Sequence, residues 1–288
     1  MSDLRPRRSV LYMPAANERA LDKAKGIPAD ALIFDLEDAV APDAKPDARR
    51  NAVAAALSGE YGNKEITIRC NGLDTQWGHE DLAAAAMANV SAVVIPKINS
   101  VKEVEAVSSA LASAGAPGSM KIWAMIETPT AIFDVRQIAA HPRVQTLVMG
   151  TNDLAKELRA TQVRGRAPLT SHLATALLAA REAGKVILDG VFNDVKDLDA
   201  FRDECVQGAQ MGFDGKTLIH PSQVEIANDV WAPSADEVDY AQRVIAVFEE
   251  ATAEGRGVIT VDGRMIENLH VDNARRVLAV QAAIESLS

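Results

Sequence analysis

The sequence predicts a (β/α)8 TIM barrel with a C-terminal helical or lid extension. Eight short apolar segments rich in β-branched residues recur along the chain, and an amphipathic stretch follows each of them. This alternation is typical of a parallel sheet, and eight units of about 30 residues close a barrel. The chain of 288 residues leaves room for an appendage. A doubly wound open sheet is the main alternative, but no G-x-G-x-x-G motif follows the first strand.

Each predicted strand is an apolar run that ends in polar residues. The eight strands are 9–15, 31–37, 65–71, 92–98, 121–128, 146–152, 185–191 and 216–221. The segments between them are rich in Ala and Leu, for example 47–58 and 101–115, and predict helices. The loop 159–170, which follows the sixth strand, is predicted to be mobile.

The pattern changes after the eighth strand. Residues 234–255 predict a long helix, because Ser234 and Glu237 have the spacing of a capping box. Gly255 and Gly257 are expected to end this helix.

The rest of the tail is short. Residues 258–264 predict a hairpin or loop, and a final helix covers roughly 269–286. We therefore expect two domains: a catalytic barrel at 1–230 and an extension of helix, lid segment and final helix at 231–288.

The composition excludes several classes of protein. A net charge of −10 disfavours nucleic acid and anionic membranes as partners. No apolar run approaches the roughly 20 residues of a membrane span, and the N-terminus lacks the pattern of a signal peptide. Cys70 and Cys205 are too few for a disulfide framework or a thiolate metal site. These observations predict a soluble cytoplasmic protein.

The ends of the predicted strands carry a set of charged and amide side chains, and these ends meet at one mouth of a barrel. The set is Glu37, Asp38, Arg69, Asn71, Lys97, Glu127, Asn152, Asp153, Asp189 and His220. Carboxylates and amides without a His or Cys cluster suit a hard cation such as Mg2+. Glu127 and Asp153 follow neighbouring strands, so they are predicted to share one metal; Asp153 as a plain helix cap is the alternative.

Arg69 is predicted to point into the barrel, where a guanidinium needs a carboxylate or an anionic ligand. It forms a buried salt bridge to Glu37 or Asp38, or binds a substrate oxygen while those acids orient it, and the two roles are compatible. Lys97 is expected to pair with the same acids. His220 is interpreted as a scaffold residue rather than a base.

The motifs occur in an order that resembles a known family. They are SVLYMPA, FDLEDAV, IRCNGLDT, VIPK, IETPTAI, GTNDLA, DGVFND and GFDGKTLIHPSQ. Together they resemble the citrate lyase β-subunit-like family of the HpcH/HpaI aldolase superfamily, from about residue 7 to 285. Within that family the sequence is most similar to malyl-CoA lyases and (3S)-malyl-CoA thioesterases.

The resemblance implies an enzyme of acyl-CoA and a small 2-oxo acid. It implies a Mg2+-dependent lyase, with Mn2+ as a substitute, that splits malyl-CoA, β-methylmalyl-CoA or citramalyl-CoA into acyl-CoA and glyoxylate or pyruvate. The alternative is a thioesterase that hydrolyses (3S)-malyl-CoA to malate and CoA at the same site. Trimers or hexamers are usual in the family, with the C-terminal segment near a neighbouring subunit.

The resemblance also implies roles for single residues. Glu127 and Asp153 would ligate Mg2+, and Arg69 would contact substrate oxygens. Glu37 and Asp38 would take part in catalysis by holding water and Arg69.

The same resemblance places the substrate and its CoA moiety. Tyr12 and Lys23 match positions that touch CoA, and Ile219 and His220 match positions near the acyl chain. Asn152 is expected to contact substrate beside the metal.

One position departs from the family pattern. Relatives carry an aspartate in the C-terminal segment that protonates the enolate, whereas this sequence has Glu267 in GRMIENLH. Glu267 would either protonate the enolate or position a water for hydrolysis, which leaves lyase and thioesterase both open. A non-catalytic subunit that binds a CoA or carrier-protein thioester and a CoA-free pyruvate aldolase are further alternatives.

Overall fold

The computed structural model describes residues 4–254 and 259–287. Eight parallel strands pair in chain order, and the eighth pairs with the first, which closes a barrel. The strands are β1 Ser9–Pro14, β2 Ala31–Asp35, β3 Glu65–Arg69, β4 Ala92–Ile95, β5 Lys121–Ile126, β6 Val144–Met149, β7 Val186–Asp189 and β8 Gly215–Leu218. The predicted TIM barrel is confirmed, and every predicted strand is present.

At least one helix follows each strand of the barrel. The helices are α1 Glu18–Ala24, α2 Lys45–Leu57, α3 Gly78–Met87, α4 Val101–Ser113, α5 Pro129–Ala140, α6 Thr151–Leu158, α7 Thr170–Glu182, α8 Leu198–Met211 and α9 Val224–Val230. The predicted helices at 47–58 and 101–115 correspond to α2 and α4. Within the described ranges, no helix is long and apolar enough to cross a membrane.

The barrel interior is filled by side chains rather than by solvent. Its buried apolar cluster consists of Val10, Ala31, Ile33, Ala92, Val94, Trp123, Met125, Val148 and Leu188. Small and large residues together fill the interior of a closed eight-stranded barrel. A ligand cavity is therefore expected at the strand ends rather than inside the barrel.

The register of β2 and β3 determines which acid meets Arg69. The two strands pair in parallel, and their last residues, Asp35 and Arg69, lie opposite each other. Strand β2 ends at Asp35, two residues before the predicted end at Glu37. Glu37 and Asp38 therefore belong to the turn that follows the strand.

The described residues fall into two compact units: 7–230, and 231–287 with residues 4–6. The second unit has an apolar core of its own, which includes Val244 and Val271. Its elements are helix α10 Ala235–Ala253, strands β9 Thr260–Val261 and β10 Arg264–Met265, and helix α11 Asn268–Glu285.

The second unit matches the pattern read from the sequence. Strands β9 and β10 are antiparallel and form the predicted hairpin. Ser234 and Glu237 form the predicted capping box at the start of α10. Gly255 and Gly257, which were expected to end this helix, lie outside the described residues.

Candidate active site

A cavity of about 430 Å3 lies at the carboxyl ends of the barrel strands. We call it the central cavity. Seven of the predicted site residues line it: Tyr12, Asp38, Arg69, Glu127, Asn152, Asp153 and Ile219. Asp35 also lines it, although it was not among the predicted site residues. The barrel thus brings together residues that are far apart in the sequence.

Arg69 is held by Asp35 and also forms the ion pair with Glu37 that the sequence suggested. Its Nε donates to Asp35 Oδ1 at 2.7 Å, and its Nη2 donates to Asp35 Oδ2 at 2.7 Å. Nη1 lies 2.7 Å from Glu37 Oε2, an ion pair without hydrogen-bond geometry, and 3.7 Å from Asp38 Oδ2. The expected salt bridge is therefore present, and the strand register adds Asp35 as a bidentate partner that sequence reasoning did not name.

Arg69 keeps donors for a ligand although it is 8% exposed. A guanidinium has five N–H groups, of which two donate to Asp35. Its Cζ also lies 4.7 Å from the centre of the Tyr12 ring, which fixes the guanidinium plane. Burial opposes the charge, but the attraction of Asp35 outweighs it and holds the pKa of Arg69 well above its usual value. Arg69 is thus a fixed cation whose remaining N–H groups can meet an anionic oxygen.

Glu37 is a carboxyl group that titrates near neutrality. Burial raises the pKa of Glu37 to about 7; Arg69 lowers it, while Asp38 and Asp35 raise it further. Glu37 lies beside Arg69, which lines the central cavity, so this perturbed carboxyl group is a candidate for proton transfer near pH 7.

Sequence reasoning missed Lys45, which holds the turn that carries Glu37. Lys45 is 5% exposed. Its Nζ donates to Leu36 O at 2.8 Å, to Glu37 O at 2.9 Å and to Asn71 Oδ1 at 2.8 Å. The sequence shows Lys45 only as the first residue of an ordinary surface helix, so no local pattern marks it as buried.

Lys97 interacts with the expected acids through charge at longer range: burial lowers its pKa, but the attraction of Asp153, Glu37, Glu127 and Asp38 outweighs this and raises it. Its pairing with Glu37 and Asp38 is not among the ion pairs of residues 4–254 and 259–287. Instead the backbone N–H of Lys97 donates to Glu127 Oε1 at 2.7 Å. Lys97 adopts a left-handed conformation with φ of 50°. This main-chain bond fixes one oxygen of Glu127.

Glu127 is packed tightly against Gly150. It is 2% exposed, and a Cβ on Gly150 would lie 2.2 Å from Glu127 Oε2. The position therefore requires glycine. Burial raises the pKa of Glu127 to about 7; the Lys97 N–H lowers it, and repulsion from Asp153 raises it. A cation beside Glu127 would remove the reason for this shift.

The donor set of Glu127 and Asp153 fits Mg2+. Both carboxylates line the central cavity. Of the four carboxylate oxygens of Glu127 and Asp153, only Glu127 Oε1 accepts a hydrogen bond from the described part of the chain, so the other three are available to a cation. No cluster of three or more His, Cys, Asp or Glu side chains suited to a metal occurs among the same residues. Mg2+ commonly uses one or two carboxylates and keeps waters in its other positions.

The other predicted residues lie outside the central cavity. Lys23 is exposed near the end of α1. His220 is exposed, and its Nδ1 accepts from Ser222 N at 3.2 Å, an arrangement that fits the scaffold interpretation. Asp189 is fully buried against Lys216, with an Nζ to Oδ2 distance of 3.0 Å.

Glu267 lies in the second unit. It is exposed, immediately precedes α11, and its backbone N–H donates to His270 Nδ1 at 3.0 Å. Its catalytic role stays a prediction.

Comparison with known proteins agrees with this picture. A family model described as HpcH/HpaI aldolase/citrate lyase matches residues 8–221. The (3S)-malyl-CoA thioesterase of Cereibacter sphaeroides is 50% identical over 279 residues, which cover 97% of this chain and 96% of that protein. Citrate lyase subunit beta of Escherichia coli strain K12 is 36% identical over 281 residues, which cover 96% and 93%. The resemblance inferred from the motifs is confirmed.

Solved structures lead to the same group. Protein CitE from Mycobacterium tuberculosis, in complex with magnesium, acetoacetate and coenzyme A, has a TM-score of 0.79 and 28% identity, and the match covers 97% of this chain and all of that one. The citrate lyase beta subunit from M. tuberculosis with oxaloacetate and magnesium has a TM-score of 0.68 and 29% identity, and covers 79% and 98%.

The Mg2+ affinity should depend on pH because Glu127 must lose its proton to bind a cation. With the pKa of Glu127 raised to about 7, protons compete below neutrality and not above it. We expect affinity to weaken about tenfold from pH 8 to pH 6, measured by titration calorimetry. Glu127→Gln should lose most binding, whereas the exposed Glu157→Gln should keep it. Equal wild-type affinity at both pH values would contradict the assignment of Glu127.

Lys45→Met should destabilise the barrel, because Leu36 O, Glu37 O and Asn71 Oδ1 each lose a hydrogen bond from the buried ammonium group. The expected loss in free energy of unfolding is about 3 kcal/mol, measured by urea denaturation. Lys102→Met, an exposed position on α4, is the matched control and should change little. A loss no larger than that of the control would show that Lys45 does not support the turn.

Proposed function

The chain belongs to the HpcH/HpaI aldolase/citrate lyase family, and we propose that it is a Mg2+-dependent acyl-CoA lyase. It splits malyl-CoA, β-methylmalyl-CoA or citramalyl-CoA into an acyl-CoA and glyoxylate or pyruvate. The observation that carries this proposal is the central cavity, where Arg69 faces the carboxylates Glu127 and Asp153. A held guanidinium and a two-carboxylate cation site together suit a substrate that carries both a thioester and a carboxylate.

Glu127, Asp153 and Arg69 have different roles in the proposed cleavage of the carbon–carbon bond. When bound by Glu127 and Asp153, Mg2+ supplies Lewis-acid polarisation of the substrate's hydroxyl and carboxylate oxygens. The hydroxyl proton leaves, the carbon–carbon bond breaks, and its electron pair moves to the thioester as an enolate. The free N–H groups of Arg69 donate to the thioester oxygen, where this charge develops. Because Asp35 already fixes Arg69, little reorganisation is needed.

Proton transfer falls to the carboxyl groups. The pKa of Glu37, raised to about 7, allows it to take or return a proton near neutral pH through water that it holds with Asp38. The enolate carbon then needs one proton, and we assign its delivery to Glu267. This assignment rests on the family pattern.

A thioesterase is the second candidate. The support for it is the 50% identity to a (3S)-malyl-CoA thioesterase over 97% of this chain. Hydrolysis would use the same polarised thioester, with a water positioned by Glu267 in place of proton delivery. A non-catalytic thioester-binding subunit is less well supported, because its function would not require Arg69, Glu127 and Asp153 in one cavity.

We also propose a homotrimer or homohexamer in the cytoplasm. The family resemblance supports the assembly. Cys70 and Cys205 are buried and free, which suits a reducing compartment.

The products of (3S)-malyl-CoA distinguish the two activities. We expect acetyl-CoA and glyoxylate, resolved by mass and lost when a chelator is added. Malate and free CoA without acetyl-CoA would establish the hydrolase instead.

Asp153→Asn should lower Mg2+-dependent turnover at least about 100-fold, whereas Asp199→Asn, an exposed position on α8, should not. Full activity of Asp153→Asn would refute the metal assignment.

Glu267→Gln should affect the proton or water step alone. A positioned acid or base contributes about 100-fold or more, so kcat should fall by that factor while Mg2+ affinity stays unchanged. Glu249→Gln, an exposed position on α10, is the matched control. A weaker Mg2+ affinity with normal kcat would mean that Glu267 has a different role.

A further inference from the structure

A second cavity adjoins the central cavity within residues 7–230. It has a volume of about 730 Å3 and lies between the loop 159–170 and helix α8; we call it the side cavity. Both cavities are lined by Thr151, Asn152, Val191 and Asn193. Asn152 is the neighbour in sequence of the predicted metal ligand Asp153. The side cavity therefore begins next to the reacting part of the substrate.

Two exposed amides separate the cavities. Asn152 Nδ2 donates to Asn193 Oδ1 at 3.0 Å, and Asn193 Nδ2 donates to Asn152 Oδ1 at 2.7 Å. Gln162 Nε2 adds a third hydrogen bond to Asn152 Oδ1 at 3.1 Å. Side-chain rotation breaks such bonds without disturbing the core, because all three amides are at the surface.

Arg166 and Glu204 line the side cavity, and the fully buried Asp189 and Lys216 lie behind them; these four charges are equal in number of each sign. Arg166 Nη1 lies 2.6 Å from Asp189, and Arg166 Nε donates to Gln207 Oε1 at 3.0 Å and lies 3.6 Å from Glu204. Its buried Nη2 has no hydrogen-bond partner within the described residues. Lys216 Nζ lies 3.0 Å from Asp189 and 2.8 Å from Glu204. Two cations thus face two carboxylates, which also fixes Arg166 in the loop that the sequence predicted to be mobile.

The remaining charges make the side cavity unfavourable for an anion. Arg164 pairs with Asp203 at the rim. Asp194 and Asp197 also line the cavity, and they accept backbone N–H groups from Lys196 and Ala200. Since the lining contains more carboxylates than cations, neither a phosphate nor a second carboxylate would be stabilised there.

The side cavity suits an uncharged apolar group. Its apolar lining consists of Val163, Pro168, Leu169, Val191, Phe192 and Ala200. Its volume lies within the usual range of small-molecule pockets, well beyond the size of a methyl group.

We propose that the side cavity holds an uncharged alkyl branch of the substrate, longer than methyl, which passes between Asn152 and Asn193. The inference rests on the proposed function, because it assigns a substrate class to the same active site. The branch comes either from the 2-oxo acid, on the hydroxyl-bearing carbon, or from the acyl group, on the carbon next to the thioester. Each buried methylene adds about fourfold in affinity.

The test compares the consumption of malyl-CoA and of analogues with methyl or propyl branches at either carbon, with Mg2+ present. Mass detection of substrate loss reports cleavage and hydrolysis alike. We expect kcat/KM of one propyl analogue to equal or exceed that of its methyl counterpart. Val163 is 45% exposed and lies in the wall of the side cavity. Val163→Trp should lower the kcat/KM of the propyl analogue, relative to the kcat/KM of malyl-CoA, at least about tenfold.

The controls separate the outcomes. Ala200→Leu narrows the cavity from α8 and should act in the same direction, whereas Val206→Trp, on α8 outside the lining, should not change the ratio. The position of the accepted propyl group identifies the 2-oxo acid or the acyl group as its source. Turnover of malyl-CoA with a loss of over about 100-fold for both propyl analogues would overturn the side-cavity inference alone. No consumption of any analogue would overturn the proposed function with it.

Discussion

The ion pair between Asp35 and Arg69 is the constraint on which the site depends. Arg69 ends a barrel strand and is almost fully buried, so it needs a carboxylate at a fixed place. Asp35 meets this need with both oxygens, and the same oxygens accept the N–H groups of Glu37 and Ala39 in the following turn. Removal of one partner from a buried pair costs about 3–5 kcal/mol. One carboxylate thus holds both the guanidinium that lines the central cavity and the turn that carries the other acids.

The acids of the FDLED motif are explained by charge balance around that pair. Arg69 neutralises the charge of Asp35. The charges of Glu37 and Glu127 are not fully neutralised, so burial raises the pKa of each of these two carboxyl groups to about 7. Such shifts would be a net burden to an ordinary core. They become useful where a divalent cation, a substrate carboxylate and a proton must be exchanged in one cavity. The excess of negative charge near Glu127 and Asp153 is therefore what a cation site requires before its ion binds.

The fold and the charged residues of the central cavity could largely be predicted from the sequence, but not every interaction between those residues. Apolar runs located all eight strands, because a strand buried on both faces has a simple signal. The bidentate partner of Arg69 depended on where β2 ends: the strand stops at Asp35, two residues before the predicted end, so sequence reasoning named the ion pair with Glu37 but not the one with Asp35. The burial of Lys45 could not be predicted from the sequence, because it depends on the path that the chain takes after Asp38. The side cavity was equally hidden, since its wall comes from a loop and a helix without a shared motif.

The choice between lyase and thioesterase does not follow from these barrel residues. In the proposed mechanism, both reactions begin with the same thioester, held by Arg69 and polarised beside Glu127 and Asp153. They diverge at the next event: an enolate carbon receives a proton, or a thioester carbon receives water. Aspartate and glutamate differ by one methylene, enough to shift an acid by about an ångström, and a displacement of that size changes rates about 100-fold. The same barrel can therefore serve either reaction, and the group that reaches the substrate, for which Glu267 is our candidate, decides between them.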